Sequence, residues 1–166
     1  GETMKKTKTK NQIFLKTPLG TARISGDEEG VSAIQLLDEK IPTSTEIPNF
    51  LQSAFQQLND YFNGELEEFS LKLNPQGTAF QQKVWKALNE IPFGKTCSYL
   101  DLSRKLGDEK AIRAVASANG KNPLWVVVPC HRVIGSDGSL TGYAGGLQRK
   151  QWLLNHENNT SQLSMF

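Results

Sequence analysis

Residues 124–134, Leu-Trp-Val-Val-Val-Pro-Cys-His-Arg-Val-Ile, constrain the fold more than any other stretch of this chain. A run so rich in β-branched and aromatic side chains is stable only when largely buried, and it reads as an interior strand. It therefore carries Cys130, His131 and Arg132 inward with it. The chain has two cysteines and two histidines in all, and it places one of each on adjacent positions here. Buried polar groups need partners, so this trio demands an explanation.

The rest of the chain is organised around that segment in two halves. "QIFLKT" (12–17), "TARISG" (21–26) and "VSAIQLLD" (31–38) are short β-leaning runs separated by the turn-like "PLG" and "GDEEG". "NFLQSAFQQLNDYFNG" follows, with Phe50, Leu51, Ala54, Phe55, Leu58, Tyr61 and Phe62 at helical spacing and Asn63-Gly64 as a stop. That stripe is core packing and carries no function. "FSLKLN" (69–74) reads as one more strand, and Pro75 and Gly77 mark a linker.

The second half is mostly helical. Thr78 and Gln81 have the spacing of a capping box, and the helix behind them presents Phe80, Val84, Trp85, Leu88 and Ile91 on one face before Pro92-Phe93-Gly94. A short helix runs from Ser98 to Gly107, and Asp108 caps a second that ends at Asn119-Gly120. Two short helices joined by a glycine turn make a helix-turn-helix candidate. "GSDGSLTGYAGG" is a loop or hairpin, and "LQRKQWLLNHE" a closing helix with Glu157 at its end.

The expected class is α/β in the α+β sense: a small N-terminal sheet plus helix (11–74), then a mostly helical domain (78–157). Residues 1–10 read as a disordered tail, Gly1–Thr3 being an expression remnant before Met4, and 158–166 as a second tail. With 166 residues the chain can bury a real core. It has no apolar run of membrane-helix length and no signal-peptide pattern, so a cytoplasmic location is expected. Cys97 and Cys130 are then free thiols, Cys97 structural, and with so few cysteines and histidines no four-ligand zinc site is expected.

Charge divides the halves. Residues 11–78 hold four Lys/Arg against ten Asp/Glu, and residues 79–166 eleven against six. The basic second half suits a polyanionic partner.

A working cysteine needs a base or a positive neighbour to form thiolate. His131 and Arg132 adjoin Cys130, yet neighbouring side chains of a strand point to opposite faces, so a turn at Pro129 or a bridging water is required. A histidine base also needs an orienting carboxylate, and Glu157 serves if the last helix packs back on this segment.

Taken with "SYLDLSRKLG", "AIRAVASANGKNP" and "GYAGGLQRKQWLLNHE", the motif "PCHRVIG" makes the chain from Thr78 to Glu157 resemble the O6-alkylguanine-DNA alkyltransferase family. The resemblance implies DNA repair in which an alkylated guanine is rotated out of double-stranded DNA and its alkyl group moves once to a cysteine. By position, Cys130 would be the acceptor, His131 its water-mediated base and Glu157 the carboxylate that holds the histidine. Tyr99 would donate to the departing guanine. Arg113 would fill the gap left by the base, with Ala114 and Ser117 on the same small-residue helix close against the minor groove. Asn122 would brace the active-site turn. The carbonyls of Cys130 and Val133 would read the guanine amine, and Tyr143 would belong to the loop covering the pocket. Ala144 stands where several members have a serine, which removes one hydrogen bond to the leaving group. No cofactor and no metal are implied, and a monomer is expected. A base pushed out of a stack leaves a gap, and a planar arginine head suits it.

Three rivals remain at this point. A binding module of the non-transferring kind would lack the acceptor cysteine, a thiol hydrolase would turn over without DNA, and a helix-turn-helix regulator would not need a buried Pro-Cys-His-Arg.

Overall fold

A computed structural model describes residues 11–140, Tyr143 and residues 146–163, with side chains to Asn158. The chain divides into two compact units that meet between Gln76 and Gly77. Among the described residues, no helix is long and apolar enough to cross a membrane.

The first unit is an antiparallel meander, β1 (Gln12–Thr17), β2 (Gly20–Asp27) and β3 (Gly30–Leu37), under one helix, α1 (Asn49–Phe62). Alternation does the sorting: Ile13, Leu15 and Thr17 of β1 point inward, while Gln12 and Lys16 are exposed. The two hairpins close over Pro18-Leu19 and Glu28-Glu29. Gly30 is needed after the second, because its φ is +134° and an added Cβ would lie 2.8 Å from the Lys72 carbonyl oxygen. Helix α1 buries Leu51, Ala54, Leu58, Tyr61 and Phe62, and each large side chain so buried contributes roughly 1.5–3 kcal/mol.

The strand expected at 69–74 is not formed. That segment makes one parallel bridge, with Val31 N–H donating to Lys72 O (2.9 Å) and Asn74 N–H to Val31 O (2.8 Å). Its Ser70 instead accepts and donates hydrogen bonds with the Gln57 side chain, which competes with a ladder.

The second unit begins with α2 (Ala79–Leu88). The capping box is present: Gln81 N–H donates to Thr78 Oγ1 (3.1 Å) and Thr78 N–H to Gln81 Oε1 (2.9 Å). Val84, Trp85, Ala87 and Leu88 are buried, and Ile91 is buried just beyond the helix end. A two-residue strand β4 (Cys97–Ser98) leads into α3 (Tyr99–Lys105), whose first turn Ser98 Oγ caps by accepting from Asp101 N–H (3.0 Å). Gly107 at φ +90° ends it. Asp108 caps only a 3-10 turn, Glu109–Ala111, so the second helix, α4 (Ile112–Gly120), starts later than its sequence pattern suggests.

The apolar run is buried as expected, but it is not a strand. Trp125 to Arg132 form successive turns, with Val126 at φ +71°. Pro129 (φ −82°, ψ +64°) is the centre of an inverse γ-turn closed by Cys130 N–H donating to Val128 O (2.8 Å). A 3-10 turn, Cys130–Arg132, follows, and Val133–Ile134 (β5) pair parallel to β4. Pro129 cannot donate to a ladder, and side-chain amides take carbonyls that a strand would use. The closing helix α5 runs from Leu147 to Leu163, so Glu157 lies within it, not at its end.

Candidate active site

The bend required of Pro129 is therefore real, and it sets Cys130, His131 and Arg132 on one tight turn. All three are buried: Cys130 is 8% exposed, His131 0% and Arg132 7%. Glu157 arrives from α5 and is itself 0% exposed. His131 Nε2 lies 2.7 Å from Glu157 Oε2, and Arg132 grips the same carboxylate twice, through Nε to Oε1 (2.7 Å) and a terminal nitrogen to Oε2 (3.0 Å). The other terminal nitrogen of Arg132 donates to the Ile91 carbonyl (2.7 Å), and the guanidinium sits over the Phe93 ring, 5.8 Å from its centroid.

Electrostatics assign the protons. Burial pushes the Glu157 carboxyl up, but His131 and Arg132 together outweigh it and hold the group well below the usual carboxylate range. Burial pushes the His131 imidazole down, opposed by Glu157. The pair is thus an ionised carboxylate and a neutral imidazole. A carboxylate only accepts, so Nε2 carries the imidazole hydrogen and Nδ1 holds the free lone pair. Nδ1 is buried with no hydrogen-bond partner among the described residues. The residue next to Cys130 thereby holds a nitrogen able to accept a proton.

Burial raises the Cys130 thiol, while the Asn122 amide and the Lys150 ammonium pull it back. The Asn122 Nδ2 donates to Val128 O (2.7 Å) and Leu124 O (3.4 Å), and its Oδ1 accepts from Leu124 N–H (2.9 Å). Val133 is fully buried, and its carbonyl accepts from Lys150 Nζ (2.6 Å). Tyr143 is half-buried, its phenol driven well above the usual range by burial and then by the Cys130 sulfur, with the Trp125 indole opposing. Tyr99 opens α3, where the pairing of β4 with β5 brings it alongside the strand leaving the Cys130 turn.

Helix α4 supplies a different surface. Arg113, Ala114 and Ser117 are exposed on its outer face, while Val115, Ala118 and Asn119 are buried beneath. Trp85 anchors the helix, its indole N–H donating to Ala118 O (2.9 Å). Ala144 lies outside the described residues.

Sequence reasoning missed three buried groups: Arg132 as the clamp on Glu157, Lys150 behind Val133, and Asn119, whose Nδ2 is 3.5 Å from Cys130 O. A guanidinium inside an apolar run does signal a buried carboxylate. Nothing comparable marks Lys150 or Asn119 along the chain.

Comparison with known proteins is consistent across the chain. The DNA binding domain of 6-O-methylguanine DNA methyltransferase matches residues 79–159, and the ribonuclease-like domain of the same enzyme matches residues 12–75. A "Methylated-DNA--protein-cysteine methyltransferase" of Methanosarcina barkeri is 47% identical over 88% of this chain and 96% of its own length.

The chain belongs to the 6-O-methylguanine DNA methyltransferase family.

Among other members, the constitutive methylated-DNA–protein-cysteine methyltransferase of Bacillus subtilis is 45% identical over 86% of this chain and 92% of its own. The solved Mycobacterium tuberculosis O6-methylguanine methyltransferase superposes with a TM-score of 0.79 at 41% identity, covering 92% of this chain and 96% of that one. The Mycobacterium tuberculosis OGT in complex with DNA gives a TM-score of 0.80 at 44% identity, covering 89% and 92%.

Proposed function

We propose that the alkyl transfer for which this family is named takes place at Cys130, once per molecule, from O6-alkylguanine in duplex DNA. The observation that carries the reading is the buried turn in which Cys130 adjoins a neutral imidazole backed by Glu157 and Arg132.

The thiol proton passes through a bridging water to His131 Nδ1, and Glu157 stabilises the imidazolium that results. The thiolate attacks the methyl carbon in line with its bond to O6. The S–C bond forms as the C–O6 bond breaks, the electron pair stays with guanine, and the Tyr99 hydroxyl protonates the expelled base. Pocket geometry supplies most of the acceleration by holding sulfur and carbon in line. A thioether offers no group that a side chain here displaces, so the protein is spent.

Reaching the carbon requires the base to leave the stack, which costs a few kcal/mol. Arg113 fills the gap, Ala114 and Ser117 lie close to the minor groove, and lysines such as Lys110 and Lys121 favour the phosphates. The carbonyls of Cys130 and Val133 face the guanine amine, under a loop to which Tyr143 belongs. Residues 78–157 act as the transfer domain, with 11–74 as its companion. A reduced acceptor thiol and a monomer in the cytoplasm complete the reading.

Repair of an O6-methylguanine duplex should stop when product equals protein. Continued turnover would overturn the proposal.

A further inference from the structure

The end of helix α4 holds two asparagines three residues apart, and each addresses a carbonyl beside Pro129. Asn122 takes Val128 O, as described. Asn119 points its Nδ2 at Cys130 O from 3.5 Å, long for a hydrogen bond. Asn119 is 1% exposed, and its Oδ1 is buried with no hydrogen-bond partner among the described residues.

For stability alone that is a poor choice. A buried acceptor without a partner destabilises the fold, whereas an apolar side chain of the same size would fill the space with no such orphan. Long contacts to catalytic groups are also common before substrate binds, and they tighten in the complex. The position matters as well: the Val133 carbonyl accepts from Lys150 Nζ (2.6 Å), and the Cys130 carbonyl, which also accepts from Val133 N–H across the 3-10 turn, is approached by Asn119 Nδ2.

We propose that Asn119 is a positioning residue for substrate specificity, aiming the Cys130 carbonyl at the exocyclic amine of the bound guanine. The inference rests on the proposed function, in which that carbonyl reads the amine. Asn119 acts through backbone and touches no substrate atom.

Transfer rates are to be compared on duplexes carrying O6-methylguanine and O6-methylhypoxanthine, which lacks the amine, for the full-length protein and for Asn119→Leu. Wild type should prefer the guanine substrate, and N119L should reduce that preference by roughly threefold to tenfold, as expected for one misaligned hydrogen bond. Its melting temperature should stay level or rise, because the orphaned acceptor is gone. A purely structural asparagine would give a lower melting temperature with the preference intact, and that result overturns the inference. Asn119→Ala, which leaves space and not bulk, should lose the same preference; unchanged discrimination in both variants also overturns it. If wild type does not discriminate, the fault lies in the carbonyl reading itself, and the role of Asn119 falls with it.

Discussion

Glu157 Oε2 lies 2.7 Å from His131 Nε2, in a place where neither side chain meets solvent. A carboxylate is stable there because Arg132 binds it through two further nitrogens and Gly94 N–H donates to Oε1 (3.5 Å). Removing Glu157 leaves a buried guanidinium without its counter-ion. Glu157→Gln should therefore destabilise the protein by about 3–5 kcal/mol in denaturant unfolding and slow transfer sharply. A loss under 1 kcal/mol would mean that the cluster is solvated.

Arg132 separates geometry from charge. Arg132→Lys keeps the cation but cannot reach Ile91 O and both carboxylate oxygens at once. It should lose about 1–3 kcal/mol of stability, one buried carbonyl or carboxylate oxygen being left short of a donor. Equal stability of R132K and wild type, measured by urea unfolding, would remove the fork from the account.

The same pair sets the acid limit. Glu157 is held below its unfolded value, so its contribution is complete above the ordinary carboxylate range and is lost as pH falls below it. His131 is also held below its unfolded value, so the unfolded chain binds the extra proton first and stability begins to decline below about pH 6.5. Melting temperature should thus fall steadily on acidification from neutrality, with no compensating gain. Melts of wild type and E157Q across that range check this: the gap between them should close toward low pH.

How far the chain can be read without coordinates depends on what decides each element. β1 to β3 follow from short β-leaning runs set apart by turn-forming residues, although β2 is bulged at Ser25/Gly26, and the start of α2 follows from Thr78 and Gln81, all local signals. The run at 124–134 misleads because β-branched residues report burial, while Pro129 and the Asn122 amide decide the backbone. Cys130, His131 and Glu157 are legible through their motif. Arg132, set in an apolar run, signals a buried carboxylate without saying which one, and Lys150 and Asn119 acquire meaning only when α4 and α5 meet the turn, which no local pattern encodes.

Arg113 is exposed on α4, whereas Val115, Ala118 and Asn119 are that helix's buried residues. Arg113→Ala should slow repair in duplex DNA at least tenfold, on the order expected when a charged contact is lost, while reaction with free O6-benzylguanine is unchanged. Equal losses on both substrates would show that Arg113 supports the pocket and does not fill the gap.

The central claim is that one identified sulfur ends up carrying the alkyl group. Peptide mass spectrometry after incubation with an excess of duplex bearing isotopically labelled O6-methylguanine tests it directly. The account predicts a single labelled methyl on the peptide containing Cys130, saturating at one per protein, and none in Cys130→Ala. Label on Cys97, or an unmodified protein alongside repaired DNA, would contradict it.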